Sequence, residues 1–259
     1  MNRLMPNDPS ETLDALFGGR LRVFQKKGGY RFSIDALLLA HFAKPNPLER
    51  VIDLGTGCGI IPLILTYQRK AENVVGVEIQ SSLADLARRN AALNKLSSRV
   101  KIWEKDLKDL EEKRRRETFD WVLSNPPYRQ VGSGRVNPRE EKALARHEII
   151  ITLKDLLRIA RHLLKDKGHL VLVYAASRAA DLIQEMRMNH LEPKTLQFVH
   201  SHRDDKARLI LVEALKEGRA QIQVLPPLFL YHSSGEYTPE ALELFSGYSA
   251  PSFPKLRNR

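Results

Sequence analysis

The chain of 259 residues has a single cysteine, Cys58, so it can form neither an internal disulfide nor a cysteine-built zinc site, and this fits a reducing compartment. No metal is implied. It also has no uninterrupted apolar run near the roughly 18 to 20 residues that span a bilayer. The N-terminus lacks the basic-then-apolar layout of a signal peptide, so a soluble, cytoplasmic protein without a membrane partner is expected. No internal repeat is visible, which argues against a repeat array. Acidic residues are in deficit: 31 Asp and Glu face 42 Lys and Arg, a formal charge of +11. Such a balance is the electrostatic footprint of a protein that meets polyanions, and nucleic acid is favoured over a merely solubilising surface.

What is present suffices for a full α/β core built as a single main domain. Residues 51–54, 74–79, 100–104, 119–124 and 168–175 read as short apolar strands, mostly β-branched or aromatic. Segments with helical spacing separate them, with helices expected over 60–70, 81–96, 149–165 and 177–190. Ser81 is a plausible N-cap and Gly168 a plausible stop. The alternation predicts a parallel sheet covered on both faces. Two later runs, 195–200 and 207–215, are joined by a charged turn at 201–206 and predict an antiparallel closing pair. Within the first 50 residues, alternation over 20–32 around Lys27-Gly28-Gly29-Tyr30 reads as a hairpin, followed by a short apolar helix over 34–42 behind Ser33. Three parts are expected: residues 1–48 as an N-terminal cap, 49–218 as the ligand-binding catalytic domain, and 219–259 as a Pro-punctuated extension. That extension holds an extended run over 221–232, a helix over 239–244 and a loose basic tail over 255–259.

The chemistry concentrates in a few places. Asp53-Leu54-Gly55-Thr56-Gly57-Cys58-Gly59 is a strand-to-helix turn whose glycines allow close backbone approach and whose helix N-terminus is expected to offer unpaired N–H donors. Its GxGxG spacing favours a nucleoside or amino-acid-bearing ligand over a dinucleotide, which usually meets GxGxxG. Glu78, ending the next strand beside Ile79, stands where an acidic side chain can accept both ribose hydroxyls. Asp106, with Leu107 beside it, can accept an adenine amino group, whereas Asp53 braces the loop or meets a charged amine. Asn125-Pro126-Pro127-Tyr128 follows the apolar run 119–124. The amide oxygen of Asn125 and the carbonyl of Pro126 are neutral acceptors for both hydrogens of a planar amine, proline fixes their aim, and Tyr128 adds a stacking face for a flipped base. His200 and His202 are expected to be turn residues rather than metal ligands. Between residues 129 and 146, Arg129, Arg135, Arg139, Lys142 and Arg146 are candidates for phosphate contacts; Lys113-Arg114-Arg115-Arg116 and the tail are undecided.

DLGTGCGI at 53–60, VVGVE at 74–78, Asp106 and NPPY at 125–128 together resemble the class I S-adenosylmethionine-dependent amino-methyltransferases, over nearly the whole chain. With Arg31-Phe32-Ser33-Ile34-Asp35-Ala36-Leu37-Leu38-Leu39-Ala40 ahead of the glycine loop, the sequence resembles the bacterial family of tRNA adenine-N6-methyltransferases that modify the purine next to the anticodon of a valine tRNA. The resemblance implies a seven-stranded, Rossmann-like sheet, mostly parallel, with the last strand antiparallel. It implies S-adenosylmethionine as methyl donor and the N6 of adenine as acceptor, and it places Ser33 and Asp35 near the methionine end of the donor. Ribosomal RNA, DNA, or the amide of a protein glutamine could be held by the same tetrapeptide, and an inactive RNA-binding protein of the same fold is the non-enzyme alternative. The oligomeric state and the particular RNA stay open.

Overall fold

Near the N-terminus, β1 (Glu11–Leu16) and β2 (Leu21–Lys26) pair antiparallel around Phe17-Gly18-Gly19-Arg20. This corrects the expected hairpin centred on residues 27–30. Two Gly-Gly pairs compete for the turn, and the one at Gly18 (φ 64°) and Gly19 (φ 83°) takes the left-handed backbone that a tight reversal requires. The computed structural model describes residues 8–28, 31–112, 116–126 and 151–244. After the hairpin come α1 (Ile34–Phe42), buried over most of its circumference, β3 (Arg50–Leu54), α2 (Ile60–Gln68), β4 (Asn73–Glu78), α3 (Ser81–Leu93), β5 (Val100–Glu104) and β6 (Phe119–Ser124). Then follow α4 (Leu153–Leu163), β7 (Leu164–Ala175), α5 (Ala179–Met188), β8 (Leu191–His200), β9 (Ala207–Lys216), β10 (Gln223–Val224), β11 (Leu228–Phe229) and α6 (Pro239–Leu244).

The main sheet runs β10-β8-β9-β7-β6-β3-β4-β5, with β11 also on β8. β9 is antiparallel to both of its neighbours, as expected for the last long strand, and the pairs β6–β7, β3–β6, β3–β4 and β4–β5 are parallel. The sheet therefore has nine strands rather than seven. The two additions are two-residue pieces on the β8 edge, separated by Pro226 and Pro227, which cannot donate to a ladder.

Strand residues alternate between two apolar clusters. Val51, Val74 and Leu123 belong to one, with α1, α2 and α3; Ile52, Val77 and Val122 belong to the other, with α4 and α5. Both faces are thus covered, which is why these strands read as continuous apolar runs. Several boundaries differ from expectation. The fourth helix stops at Leu163 behind Thr152, whose hydroxyl accepts from Asp155 N–H, and Gly168 lies inside β7 rather than ending the helix. A Cβ on Gly168 would come within 2.9 Å of the Lys165 carbonyl, so the glycine permits a close backbone approach. α3 begins at Ser81 with Gln80 as its cap residue. β8 begins four residues earlier than expected and passes through Pro193, where its register shifts.

Candidate active site

The parallel strands carry the chemistry-bearing residues to one edge of the sheet. Leu54 on β3 pairs with Ser124 on β6, and the Ser124 hydroxyl donates to the Leu54 carbonyl at 2.8 Å. The next residues on the two chains are Gly55 and Asn125, so the glycine turn and the start of the NPPY segment leave the sheet side by side. Asn125 is half-buried and Pro126 buried; Pro127 and Tyr128 lie outside the described residues, as do Arg129, Arg135, Arg139, Lys142 and Arg146, and Lys113, Arg114 and Arg115.

Gly55 (φ 79°), Gly57 (φ 57°) and Gly59 (φ 83°) all adopt left-handed backbone, and a Cβ on Gly59 would press on Ala87 of α3 at 3.1 Å. Among the described residues, a Cβ on Gly55 would meet nothing within 4 Å, so they leave open space over that residue. Four N–H groups ahead of the helix are held within the protein. Gly55 and Thr56 donate to Val77 O at 3.0 and 2.9 Å, Gly57 to Glu78 Oε2 at 2.9 Å, and Gly59 to Thr56 O at 2.9 Å. At those four positions the turn offers shape rather than open amides. Gly76, opposite Asp53 on β4, is part of that shape, because a Cβ there would fall 2.8 Å from the Thr56 side chain. The glycine was visible in the sequence as a break in an apolar strand, the usual mark of close approach.

Glu78 is 6% exposed and holds Gly57 N–H with one oxygen and Gln80 N–H with the other, both at 2.9 Å. Burial raises its carboxyl, against the opposing pull of those backbone bonds. A carboxylate has about four acceptor positions, so bracing the turn leaves capacity for two hydroxyls. Asp53 differs. It is wholly buried, and among the described residues neither carboxylate oxygen has a hydrogen-bond partner, nor does the Thr56 hydroxyl. Burial pushes its carboxyl up to about 7; the Thr56 hydroxyl lies close enough to temper the shift without reaching hydrogen-bond geometry, and the Glu78 charge adds to it. Asp35, near the start of α1, likewise has one buried oxygen without a partner, and burial raises its carboxyl; Ser33 beside it is exposed. Asp106 caps the 3-10 turn that opens at Leu107, its Oδ1 accepting from Lys108 N–H at 2.9 Å, and Ile79 is half-buried next to Glu78. The Cys58 thiol, buried and pushed up to about 12, is no nucleophile at neutral pH.

His200 and His202 both turn to Asp205, through its carbonyl at 2.8 Å and its carboxylate at 3.0 Å. Among the described residues, no group of three or more His, Cys, Asp or Glu is placed to hold a metal ion, and no helix is long and apolar enough to cross a membrane.

Residues 33–199 match the family model described as the methyltransferase small domain. A tRNA1(Val) (adenine(37)-N6)-methyltransferase of Porphyromonas gingivalis is 29% identical over 242 residues, covering 90% of this chain and 94% of its own. One of the same name from Aeromonas hydrophila is 32% identical over 150 residues, 58% of this chain and 61% of its own. Among solved structures, a predicted O-methyltransferase from Agrobacterium tumefaciens superposes with a TM-score of 0.64 at 25% identity, covering 82% of this chain and 96% of that one. A geranyl diphosphate C-methyltransferase from Streptomyces coelicolor, solved with S-adenosyl-L-homocysteine, shares the fold with a TM-score of 0.52 at 16% identity over 71% of this chain and 78% of that one. From the glycine turn to the antiparallel last long strand, the sequence and the fold agree: the chain belongs to the methyltransferase small domain family.

Proposed function

We propose that the protein transfers a methyl group from S-adenosylmethionine to the exocyclic N6 of adenine in RNA, with tRNA near the anticodon as its substrate. The observation that supports this reading is the Leu54–Ser124 pairing, from which the chain runs directly into Gly55 on one strand and Asn125 on its neighbour. The tRNA assignment draws on the relatives whose names specify adenine 37 of a valine tRNA and on the basic charge of +11.

The residues present fit the donor. Space over Gly55 accommodates a ligand backbone, Glu78 retains capacity for ribose hydroxyls, and the orphaned Asp53 carboxylate supplies the counter-charge for an α-ammonium group. In this reading Thr56, Gly57, Gly59 and Ile79 shape the seat, Asp106 and Leu107 meet the adenine, and Ser33 and Asp35 lie toward the methionine end. When bound, S-adenosylmethionine supplies an electrophilic methyl carbon on positively charged sulfur. Asn125 and Pro126 accept from the two N–H groups of the substrate amine and hold it in place as positive charge develops on nitrogen. Pro127 stiffens the segment, and Tyr128 provides a stacking face for the extruded base. No strong base is required, since the methylated nitrogen is acidic and loses its proton to a weak acceptor. Arg129, Arg135, Arg139, Lys142 and Arg146 would contact phosphates. In domain terms, residues 1–48 cap a catalytic unit over 49–218, and 219–259 extend it; the setting is the cytoplasm.

The test is to supply labelled S-adenosylmethionine with separate pools of unmodified tRNA, ribosomal RNA, DNA and protein, and to identify the product by mass spectrometry. N6-methyladenine confined to tRNA is expected. Label found only in protein would overturn the assignment.

A further inference from the structure

The N-terminal hairpin is a two-stranded sheet, and the outer edge of β2 has no neighbouring strand among the described residues. β1 occupies one side of β2, while the backbone groups of Arg22 and Phe24, two residues apart, face the other side, where a third strand would pair. α3 supplies carboxamides there instead. Asn90 Oδ1 accepts from Phe24 N–H at 2.7 Å and its Nδ2 donates to Phe24 O at 3.1 Å. One turn later, Asn94 makes the same two bonds to Arg22, at 2.8 and 2.7 Å. The fit is geometric: four helical residues advance about 6 Å, and two strand residues advance about 6.6 Å. Two asparagines at that spacing therefore reproduce the donor and acceptor row of a neighbouring strand.

The two side chains differ in their remaining amide hydrogen. Asn94 returns it to Asn90 O, within its own helix, at 2.8 Å. Asn90 donates it to Cys58 O, in the glycine turn, at 2.9 Å. Asn90 is fully buried, and this bond fixes one end of the Cys58–Gly59 peptide, whose N–H is held at the other end by Thr56 O. The glycines on either side, Gly57 and Gly59, are the residues with the greatest freedom to leave the observed shape.

We propose that Asn90 is a positioning residue for the S-adenosylmethionine seat, coupling the glycine turn to the edge of the N-terminal hairpin through the Cys58 carbonyl. The inference rests on the reading of that turn as the cofactor site. Asn94 is its internal control, because it makes the same hairpin bonds and gives its remaining hydrogen to its own helix, not to the turn. Binding of S-adenosylmethionine to the full chain is measured by calorimetry, below the melting temperatures of wild type, Asn90→Ala and Asn94→Ala. Both variants lose thermal stability. Asn90→Ala binds about tenfold more weakly, the effect of leaving a buried acceptor without its donor, and its KM for the cofactor rises in step while kcat at saturation holds. Asn94→Ala binds as wild type does. Equal affinity in all three proteins, or equal loss in both variants, overturns the proposal; wild type that fails to bind overturns the cofactor reading itself. Should Asn90→Ala not fold, Asn90→Asp serves, since it keeps the acceptor for Phe24 N–H but donates only when protonated. Relative to wild type at the same pH, its affinity is expected to recover between pH 8 and pH 5, and a flat ratio overturns the proposal.

Discussion

Lys216 at the amino edge of the main sheet and Asp53 at the carboxyl edge treat buried charge in opposite ways. At the amino edge, Lys216 at the end of β9 is 4% exposed, and its ammonium donates to Leu164 O at 2.7 Å and to Glu117 Oε1 at 3.1 Å. Around it, Lys165 meets Asp120 at 2.7 Å and Arg161 meets Glu217 at 3.1 Å. At the carboxyl edge, Asp53 is more deeply buried, yet among the described residues its oxygens have no hydrogen-bond partner, and Thr56 and Asp35 also have buried oxygens without bonds there. A buried polar group without a partner destabilises a fold by about 1–3 kcal/mol. Unpartnered atoms are not confined to one edge, since Arg161 Nε is also buried without a partner among the described residues and Glu78 is bonded through both oxygens, but an uncompensated acid at the carboxyl edge fits a ligand seat there, in keeping with the general placement of ligands outside the carboxyl ends of parallel strands.

The contrast can be broken by mutation. The largest effect belongs to Asn125→Ala, which removes the neutral acceptor proposed for the reacting amine; kcat should fall about 10²–10³-fold, with S-adenosylmethionine affinity kept in calorimetry. Undiminished turnover would reject the assigned role. Lys216→Ala should do the converse. It leaves Leu164 O buried without its donor and should lower stability by about 2–3 kcal/mol in denaturant unfolding, with cofactor affinity unchanged. Little of that loss comes from Glu117, whose side chain is 41% exposed. Between these lies Gly76→Ala, whose Cβ would collide with Thr56. Overpacking there should destabilise by about 1–3 kcal/mol and also raise the KM for the cofactor, because the displaced side chain lies in the turn.

The carboxyl edge was largely legible in the sequence and the amino edge was not. Gly55, Gly57, Gly59, Glu78 and Asn125 announce themselves because they follow apolar strands at fixed offsets, and strand direction then brings them together. Lys216 looks like any surface lysine at the end of a strand, and only the fold shows it turned toward Leu164. The hairpin was misplaced for a related reason. Gly18-Gly19 and Gly28-Gly29 are equivalent local turn signals, and the long-range bonds of Asn90 and Asn94 to β2 leave no trace in local alternation. Glu78 was assigned to a ligand from its position alone, whereas its hold on Gly57 N–H requires knowing that β4 lies beside β3. The two-residue strands β10 and β11 are too short to show any period.

The smallest predicted effect tests the seat directly, through Asp53. Its carboxyl sits near 7 in the folded chain against an ordinary value of 3.8, so folding favours the neutral acid. The stabilisation linked to that proton is complete below about pH 4 and is lost as pH rises through 7. Without cofactor, Asp53→Asn should therefore gain stability on wild type as pH increases from 4 to 7, read from unfolding midpoints at each pH. Cofactor binding should move the opposite way, because an α-ammonium group favours the ionised carboxylate. Between pH 6 and pH 8 the ionised fraction of a group titrating at 7 rises about tenfold, so wild-type affinity should strengthen by up to that factor while Asp53→Asn stays flat. A wild-type affinity that ignores pH over this window would mean that the unpartnered acid does not meet the charged end of the donor, and the contrast between the two edges would then be one of packing rather than of function.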